Sequence, residues 1–380
     1  MRRDSPLRRA LVQVHLYGGL ILGLYVLIIG LTGASLVFRE EMEDGMIPRI
    51  AETPQGRLLN VDEVALTLHS TYPAWTLTSL YWPEQSHGTW HGELRNGSRQ
   101  IAVYVDPVSG KVLWERDYNR SFLRWLQLVH IQLLNGNQGR TVNGIIALLT
   151  ATLGVIGLLL WVPPRRQWKQ ALTIKWSAPW KRLTRDLHIV GGAYCFLFLI
   201  LLTITGAYFA WRGPVHRVIA RLLPMHFMNR PLKPVPSSPH APAATYLAME
   251  TQVRTLLPEY PPARIIFPER PQQPIRIVVY EGKTWHASNI FFDPKTASML
   301  RADLYRDSGV GDYFTYLIGP VHFGEFGGLF TKVLWVFGGM AFPLMTITGY
   351  WMYAQRLSRK TRTNGEPVGS TPLRDVSSNT

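Results

Sequence analysis

The chain has 380 residues, 47% of them hydrophobic and 17% charged, with one cysteine and a net charge of +15. Such an apolar composition departs from that of an ordinary soluble enzyme, and a single cysteine, Cys195, excludes an intrachain disulfide framework. The positive charge invites a nucleic-acid partner, but its placement argues against one: Lys and Arg crowd the short segments 1–10, 163–187 and 354–380, while the long segments 39–141 and 212–328 are close to neutral.

In chain order, residues 1–38 read as a cytoplasmic N-terminus and a first span. The apolar run Leu11–Phe38 is too long, and too poorly followed by small residues, for a cleaved signal peptide. It contains "VHLYGGLILGLYVLIIGLTGA" (Val14–Ala34) with one histidine, His15. Residues 39–119 read as a small outer α+β module: a helix over Val61–Ser70, alternating strands at Thr76–Trp82, Thr89–Leu94 and Ile101–Val105, a turn from Asp106 to Gly110, and a strand at Val112–Trp114. Residues 120–162 bring "VHIQLL" (Val129–Leu134) and the second span, Val142–Val162. A basic loop, 163–187, leads to the third span over 188–211, His188–Trp211.

Residues 212–308 hold a Pro-rich linker, Pro224–Pro242, and a second outer module. Its helix is expected at Ala244–Leu256, its strands near Ile265–Phe267, Ile275–Tyr280 and Ala287–Phe292, and its turn at Asp293–Ser298. Residues 309–355 carry "VHFGEF" (Val321–Phe326) and the fourth span, Leu329–Tyr353, whose only formal charge is Lys332; a tail, 356–380, follows. Basic residues in the short segments place both termini and the 163–187 loop in the cytoplasm. Both modules then lie outside, in the periplasm of a Gram-negative inner membrane. The expected fold class is an α-helical membrane protein with four transmembrane helices in two tandem repeats and two periplasmic α+β modules.

The repeat is written in the letters. "LHIVGGAYCFLFLILLTITGA" (Leu187–Ala207) matches the first span at an offset of 173, pairing His15 with His188, Gly18-Gly19 with Gly191-Gly192, Thr32 with Thr205 and Gly33 with Gly206. An offset of 192 pairs His130 with His322 and Gly157 with Gly349. "VDPVSGKVL" (Val105–Leu113) resembles "FDPKTASML" (Phe292–Leu300) at an offset of 187. Two halves of the same orientation relate by an axis along the membrane normal.

Of eleven histidines, only His15, His188, His130 and His322 recur between halves. Polar groups in spans are costly, and serve either packing or function; two symmetry-matched pairs at two depths favour function. Two imidazoles facing each other across an axis suit the axial positions of a haem, and Gly18-Gly19 and Gly191-Gly192 offer either a flat ring close approach or helix packing through small residues. Zinc would need three or four N/S/O ligands, and the cytoplasmic pair has only two in register. With no C-x-x-C-H, any haem is b-type. His87 and His91 in "SHGTWHG" read as exposed loop residues, "MHFM" (Met225–Met228) as packing, and His216 as an alternative partner for His130 or His322. No residue is assigned as catalytic in the sense of touching substrate.

A histidine-bearing span ending in T-G, a module ending in D-P-x-[ST]-G-K-V-L, then G-L-L-L-W and basic residues, all doubled over residues 8 to about 358, resembles the PepSY-associated transmembrane helix family, to which ferric-siderophore reductases of the ferrioxamine type belong. The resemblance implies two PepSY-like modules and transmembrane electron transfer through two haems b, with His15, His130, His188 and His322 as axial ligands. The second module departs from the pattern at Ala297-Ser298, where the first has Gly110-Lys111. The expected activity is reduction of a ferric siderophore in the periplasm, releasing Fe(II). No G-x-G-x-x-G fingerprint occurs, so the electron donor is expected to be separate, a quinol or a flavin reductase. The other expected partner is membrane lipid. A non-catalytic PepSY protein that binds peptides or proteases, with structural histidines, is the rival reading.

Overall fold

Among the described residues, four helices carry apolar windows long enough to cross a membrane: Pro6–Leu36, Gly136–Trp161, Trp180–Ala210 and Gly328–Ser358. They belong to a computed structural model that describes residues 5–47, 56–85, 88–226, 245–270 and 273–364. The chain is a multi-pass membrane protein. Its helices are α1 (Pro6–Leu36), α2 (Arg39–Asp44), α3 (Val61–Thr71), α4 (Phe122–Gln132), α5 (Gly136–Trp161), α6 (Trp168–Ala171), α7 (Trp180–Ala210), α8 (Arg212–Leu222), α9 (Tyr246–Leu256), α10 (Val310–Phe323) and α11 (Gly328–Asn364). Its strands are β1 (Thr76–Tyr81), β2 (Trp90–Asn96), β3 (Arg99–Val105), β4 (Val112–Asp117), β5 (Pro262–Ile266), β6 (Ile275–Tyr280), β7 (Ala287–Phe292) and β8 (Met299–Asp303).

The spans outrun the apolar stretches that announce them. Hydropathy marks where side chains become apolar, whereas a helix continues through any residues of good propensity. "WKRLTRDL" therefore extends α7 two turns ahead of His188, and His15 likewise sits inside α1. Both histidines are fixed by helix on either side.

The chain divides into two units: Met1–Leu31, Leu148–Thr203 and Phe337–Thr380 in one, Thr32–Ala147 and Ile204–Val336 in the other. The first is a bundle of apolar helices. At Gly30 a Cβ would lie 2.6 Å from Phe342 Cβ and from Pro343 Cδ and 3.0 Å from the Gly339 carbonyl, so α1 and α11 meet nearly backbone to backbone.

The second unit contains one eight-stranded antiparallel sheet in the order β4-β3-β2-β1-β5-β6-β7-β8. Two separate modules were expected from the sequence; instead β1 pairs with β5 (Ser79↔Ile266, Leu80↔Ile265, Tyr81↔Arg264) and the two four-stranded meanders become one sheet. Left apart, each would expose a strand edge to unwanted pairing. They share one core: Val61, Val64 and Leu68 of α3 and Met249 and Val253 of α9 pack with Leu80, Leu94, Ile101, Ile265, Ile277 and Phe292 from the strands. Asn60 and Glu63 form a capping box at the start of α3. The carboxylate of Asp62 accepts from the backbone N–H of Tyr246 and of Leu247, so α3 caps α9 as well.

The turn at Asp293–Ser298 forms despite its divergent sequence. Asp106 Oδ1 accepts from Val108 and Ser109 N–H, and Asp293 Oδ1 accepts from Lys295 and Thr296 N–H in the same way. Gly110 takes φ +70 and Ala297 φ +56. The second turn keeps its geometry by holding an alanine in the left-handed region. Most of the linker Pro224–Pro242, with His240, and His87 lie outside the described residues.

Candidate functional site

In the first unit, the rings of His15 and His188 lie 6.2 Å apart, centre to centre, inclined at 76°. The Nδ1–H of His15 donates to the Leu153 carbonyl at 3.1 Å. His188 Nδ1 lies 3.0 Å from Thr348 Oγ1. That hydroxyl already donates to the Leu344 carbonyl at 2.6 Å, so it accepts from His188. Both imidazoles are thereby held as Nδ1–H tautomers with the Nε2 lone pair unspent. Each ring rests on a glycine: a Cβ at Gly157 would lie 2.9 Å from His15 Cε1, and one at Gly349 3.3 Å from His188 Cε1.

The second unit repeats the construction with other helices. His130 near the end of α4 and His322 near the end of α10 have ring centres 6.4 Å apart, inclined at 44°. His130 Nδ1 hydrogen-bonds Thr32 Oγ1 at 3.1 Å, and His322 Nδ1 hydrogen-bonds Thr205 Oγ1 at 2.7 Å. Here the supporting glycines are Gly33, whose Cβ would lie 2.8 Å from His130 Cε1, and Gly206, at 3.6 Å from His322 Cε1. Burial, and to a smaller degree the neighbouring His130, push the His322 pKa down to about 3, so this imidazole is neutral. Asn143 Nδ2 donates to the His130 carbonyl at 2.7 Å, closing the last turn of α4. Leu133 and Leu134 follow with φ +50 and +59. Two left-handed leucines cost roughly 1–2 kcal/mol each, and they set the reversal that carries His130 against Thr32.

The arrangement suits a metal held between two trans imidazoles. A metal–imidazole bond of about 2 Å, with roughly 1 Å more to each ring centre, puts such centres about 6 Å apart. Tying Nδ1 to a hydroxyl or carbonyl is how proteins orient a ligating histidine. Among the described residues no three His, Cys, Asp or Glu side chains converge, so the donor set fits a macrocycle with two axial positions rather than zinc.

The four histidines singled out from the sequence are thus brought together as two pairs, each made of repeat mates. His216 is not part of either: its Nε2 hydrogen-bonds the Tyr208 hydroxyl. His226, in the Met-His cluster, has its Nδ1 2.7 Å from the Asp307 carbonyl. His91 corrects its expected place in an exposed loop. It lies in β2, stacked between Tyr81 (4.7 Å) and Tyr104 (4.5 Å). Strand alternation sends Trp90 and Leu94 to the core and His91 to the opposite sheet face, which is covered rather than open. Burial, then Arg116 and Arg264, lower its pKa to about 4. A Cβ at Gly18 would meet Leu153 Cδ2 at 2.8 Å and one at Gly192 Met345 Sδ at 3.2 Å, close contacts of the helix-packing kind, whereas a Cβ at Gly19 would meet nothing within 4 Å. The glycines against the imidazoles are Gly33, Gly157, Gly206 and Gly349, all visible as repeat matches in the sequence.

The family model described as PepSY-associated TM region matches residues 12–356. A comparison with curated proteins gives no match.

Proposed function

The chain belongs to the PepSY-associated TM family, and from that premise we propose that it is an inner-membrane dihaem b cytochrome that reduces a ferric siderophore in the periplasm. His15 and His188 hold one haem through Nε2, and His130 and His322 hold the other. The observation that carries this reading is that each of the four histidines spends Nδ1 on a hydroxyl or carbonyl and faces its mate at 6.2 or 6.4 Å.

Bound haem supplies one-electron transfer at a potential set by its ligands and surroundings. The chain supplies the rest. Thr32, Thr205, Thr348 and the Leu153 carbonyl fix ring orientation, and the apolar spans exclude water from the first pair. The basic segments 1–10, 163–187 and 354–380 support a cytoplasmic side next to His15 and His188. The two sheet meanders are then PepSY-like modules of a tandem repeat in the periplasm. Siderophores hold Fe(III) through hard oxygen donors that suit Fe(II) far less well, so adding one electron to the chelated Fe(III) releases Fe(II). The electron comes from a quinol or a flavin reductase on the cytoplasmic side.

Purified protein from haem-replete membranes is expected to show a Soret band and two haems b per chain by pyridine haemochrome. Its spectrum should reoxidise when a ferric siderophore is added to the dithionite-reduced form. Protein without a Soret band would overturn the reading and leave the rival, a PepSY protein that binds peptides or proteases.

A further inference from the structure

The offset that aligns His130 with His322 aligns one more pair of chemistry-bearing residues, Arg140 and Lys332. Each is the fifth residue of its helix, α5 or α11, ten positions after its matched histidine. Cations are rare at such positions because the start of a span is already poor in water. Asn143, one turn beyond Arg140, donates to the His130 carbonyl at 2.7 Å. Thr331, next to Lys332, donates to the carbonyl of Gly324, the residue that caps α10 just after His322, at 2.6 Å. Each cation thus stands within a turn of a residue that holds the end of the helix carrying its histidine.

Their partners differ. Lys332 is 8% exposed, and its Nζ lies 2.6 Å from Glu41 Oε1 on a carboxylate that is half exposed. Arg140 Nε is buried with no hydrogen-bond partner. A buried guanidinium N–H without an acceptor is costly, and the acceptor it suits best is a carboxylate. An ammonium has three donors, so Lys332 can serve Glu41 and a second anion together, in competition with the Glu325 carboxylate that lies within its field.

Resting on the haem reading above, we propose that Arg140 and Lys332 are the propionate-binding residues of the haem held by His130 and His322, one cation to each propionate. Porphyrin symmetry supplies the reason. The two propionates leave one edge of the ring on either side of a line through the iron. A two-fold that exchanges the axial histidines lies in the ring plane. When the propionate edge sits on that axis, the same two-fold exchanges the propionates, and so requires matched cations. Arg140 and Lys332 are a matched pair at the end of the site where α4 and α10 terminate. A neighbouring cation favours the reduced, less positive iron, so both residues raise the potential of this haem.

The test is spectroelectrochemical titration of the purified holoprotein and of the Arg140→Gln, Lys332→Gln and Arg140→Lys variants. Each Gln variant should lower the reduction equilibrium constant of one haem about tenfold, which is ~59 mV for a one-electron couple. Both should act on the same haem, the one lost in His322→Ala, and Arg140→Lys should restore most of the shift. Wild-type protein with two haems, and Gln variants that hold both at unchanged potentials, would overturn this assignment while leaving the haem reading intact. Should one Gln variant fail to accumulate, the other carries the same test, because each alone must lower the potential of the same haem. Wild-type protein without haem would instead remove the reading on which the assignment rests.

Discussion

Gly33 and Gly206 occupy matched positions in the repeat, yet the structure gives them different clearances, which makes a controlled comparison. An alanine Cβ at position 33 would lie 2.8 Å from His130 Cε1, and one at position 206 would lie 3.6 Å from His322 Cε1. Carbon atoms in contact prefer about 3.5–4 Å, so Gly33→Ala must push the imidazole by roughly 1 Å, whereas Gly206→Ala needs no movement. Overpacking of this kind costs about 1–3 kcal/mol, and a ligating group tolerates only about 0.5 Å of misplacement. Gly33→Ala should therefore weaken haem binding at the His130–His322 site by roughly 5- to 150-fold, and Gly206→Ala by less than about 3-fold. Both substitutions gain a similar ~1 kcal/mol of helix propensity, which cancels in the comparison. The assay is haem per chain after detergent washing, together with hemin titration of the stripped protein. Equal loss from the two variants, or full retention by Gly33→Ala, would refute the steric reasoning.

Other outcomes follow from the same geometry. His15→Ala and His188→Ala should each remove one haem and leave the other, while His130→Ala and His322→Ala remove the second; full haem retention by His322→Ala would defeat the pairing. Ala297→Gly relieves a left-handed alanine at φ +56 and should stabilise the protein by about 1 kcal/mol, read as a rise in the melting midpoint. His91 has its pKa lowered to about 4 in the fold from about 6.5 in the unfolded chain. Between those values the unfolded chain binds more protons, so stability is lost as pH falls through that window, by up to about 3 kcal/mol. His91→Phe should flatten this acid-side loss in melting curves, and an unchanged pH profile would show that His91 is not its source. Reporter fusions after Arg166 should give a cytoplasmic signal and fusions near Gly97 and Gly282 a periplasmic one; a periplasmic signal after Arg166 would reverse the proposed direction of electron flow.

The spans and most sheet elements were legible because their signals are local. β6 and β7 fall where the alternation of Ile275–Tyr280 and Ala287–Phe292 puts them. The β1–β5 pairing was not legible, because the residues that pair lie far apart in the chain and nothing in either strand names its neighbour. The covered setting of His91 was missed for a related reason: alternation tells that it opposes the core, not what lies over that face. At the candidate site, the histidines and their pairing were readable from the repeat, and so in retrospect were Thr32, Thr205 and the four supporting glycines. Leu153 was not, since a backbone carbonyl leaves no mark in a sequence.

That last contrast has a physical root. His130 and His322 are oriented by threonine hydroxyls, whereas His15 is oriented by the carbonyl of Leu153 and His188 by Thr348 together with the carbonyl of Met345, the repeat mate of Leu153. A helical carbonyl is already engaged in its own helix, and here its second lone pair takes the imidazole N–H. Gly157, one turn further along α5, leaves room for the ring to reach it: a Cβ there would stand 2.9 Å from His15 Cε1. Gly157→Ala should therefore both crowd the ring and pull it off the Leu153 carbonyl, so its effect should exceed that of Gly349→Ala, where the clearance is 3.3 Å and His188 has the Thr348 hydroxyl as well as the Met345 carbonyl to hold it. The comparison is haem retention at the His15–His188 site in the two variants. Equal retention would mean that the difference in clearance does not reach the ring, and would refute the steric reasoning at this site.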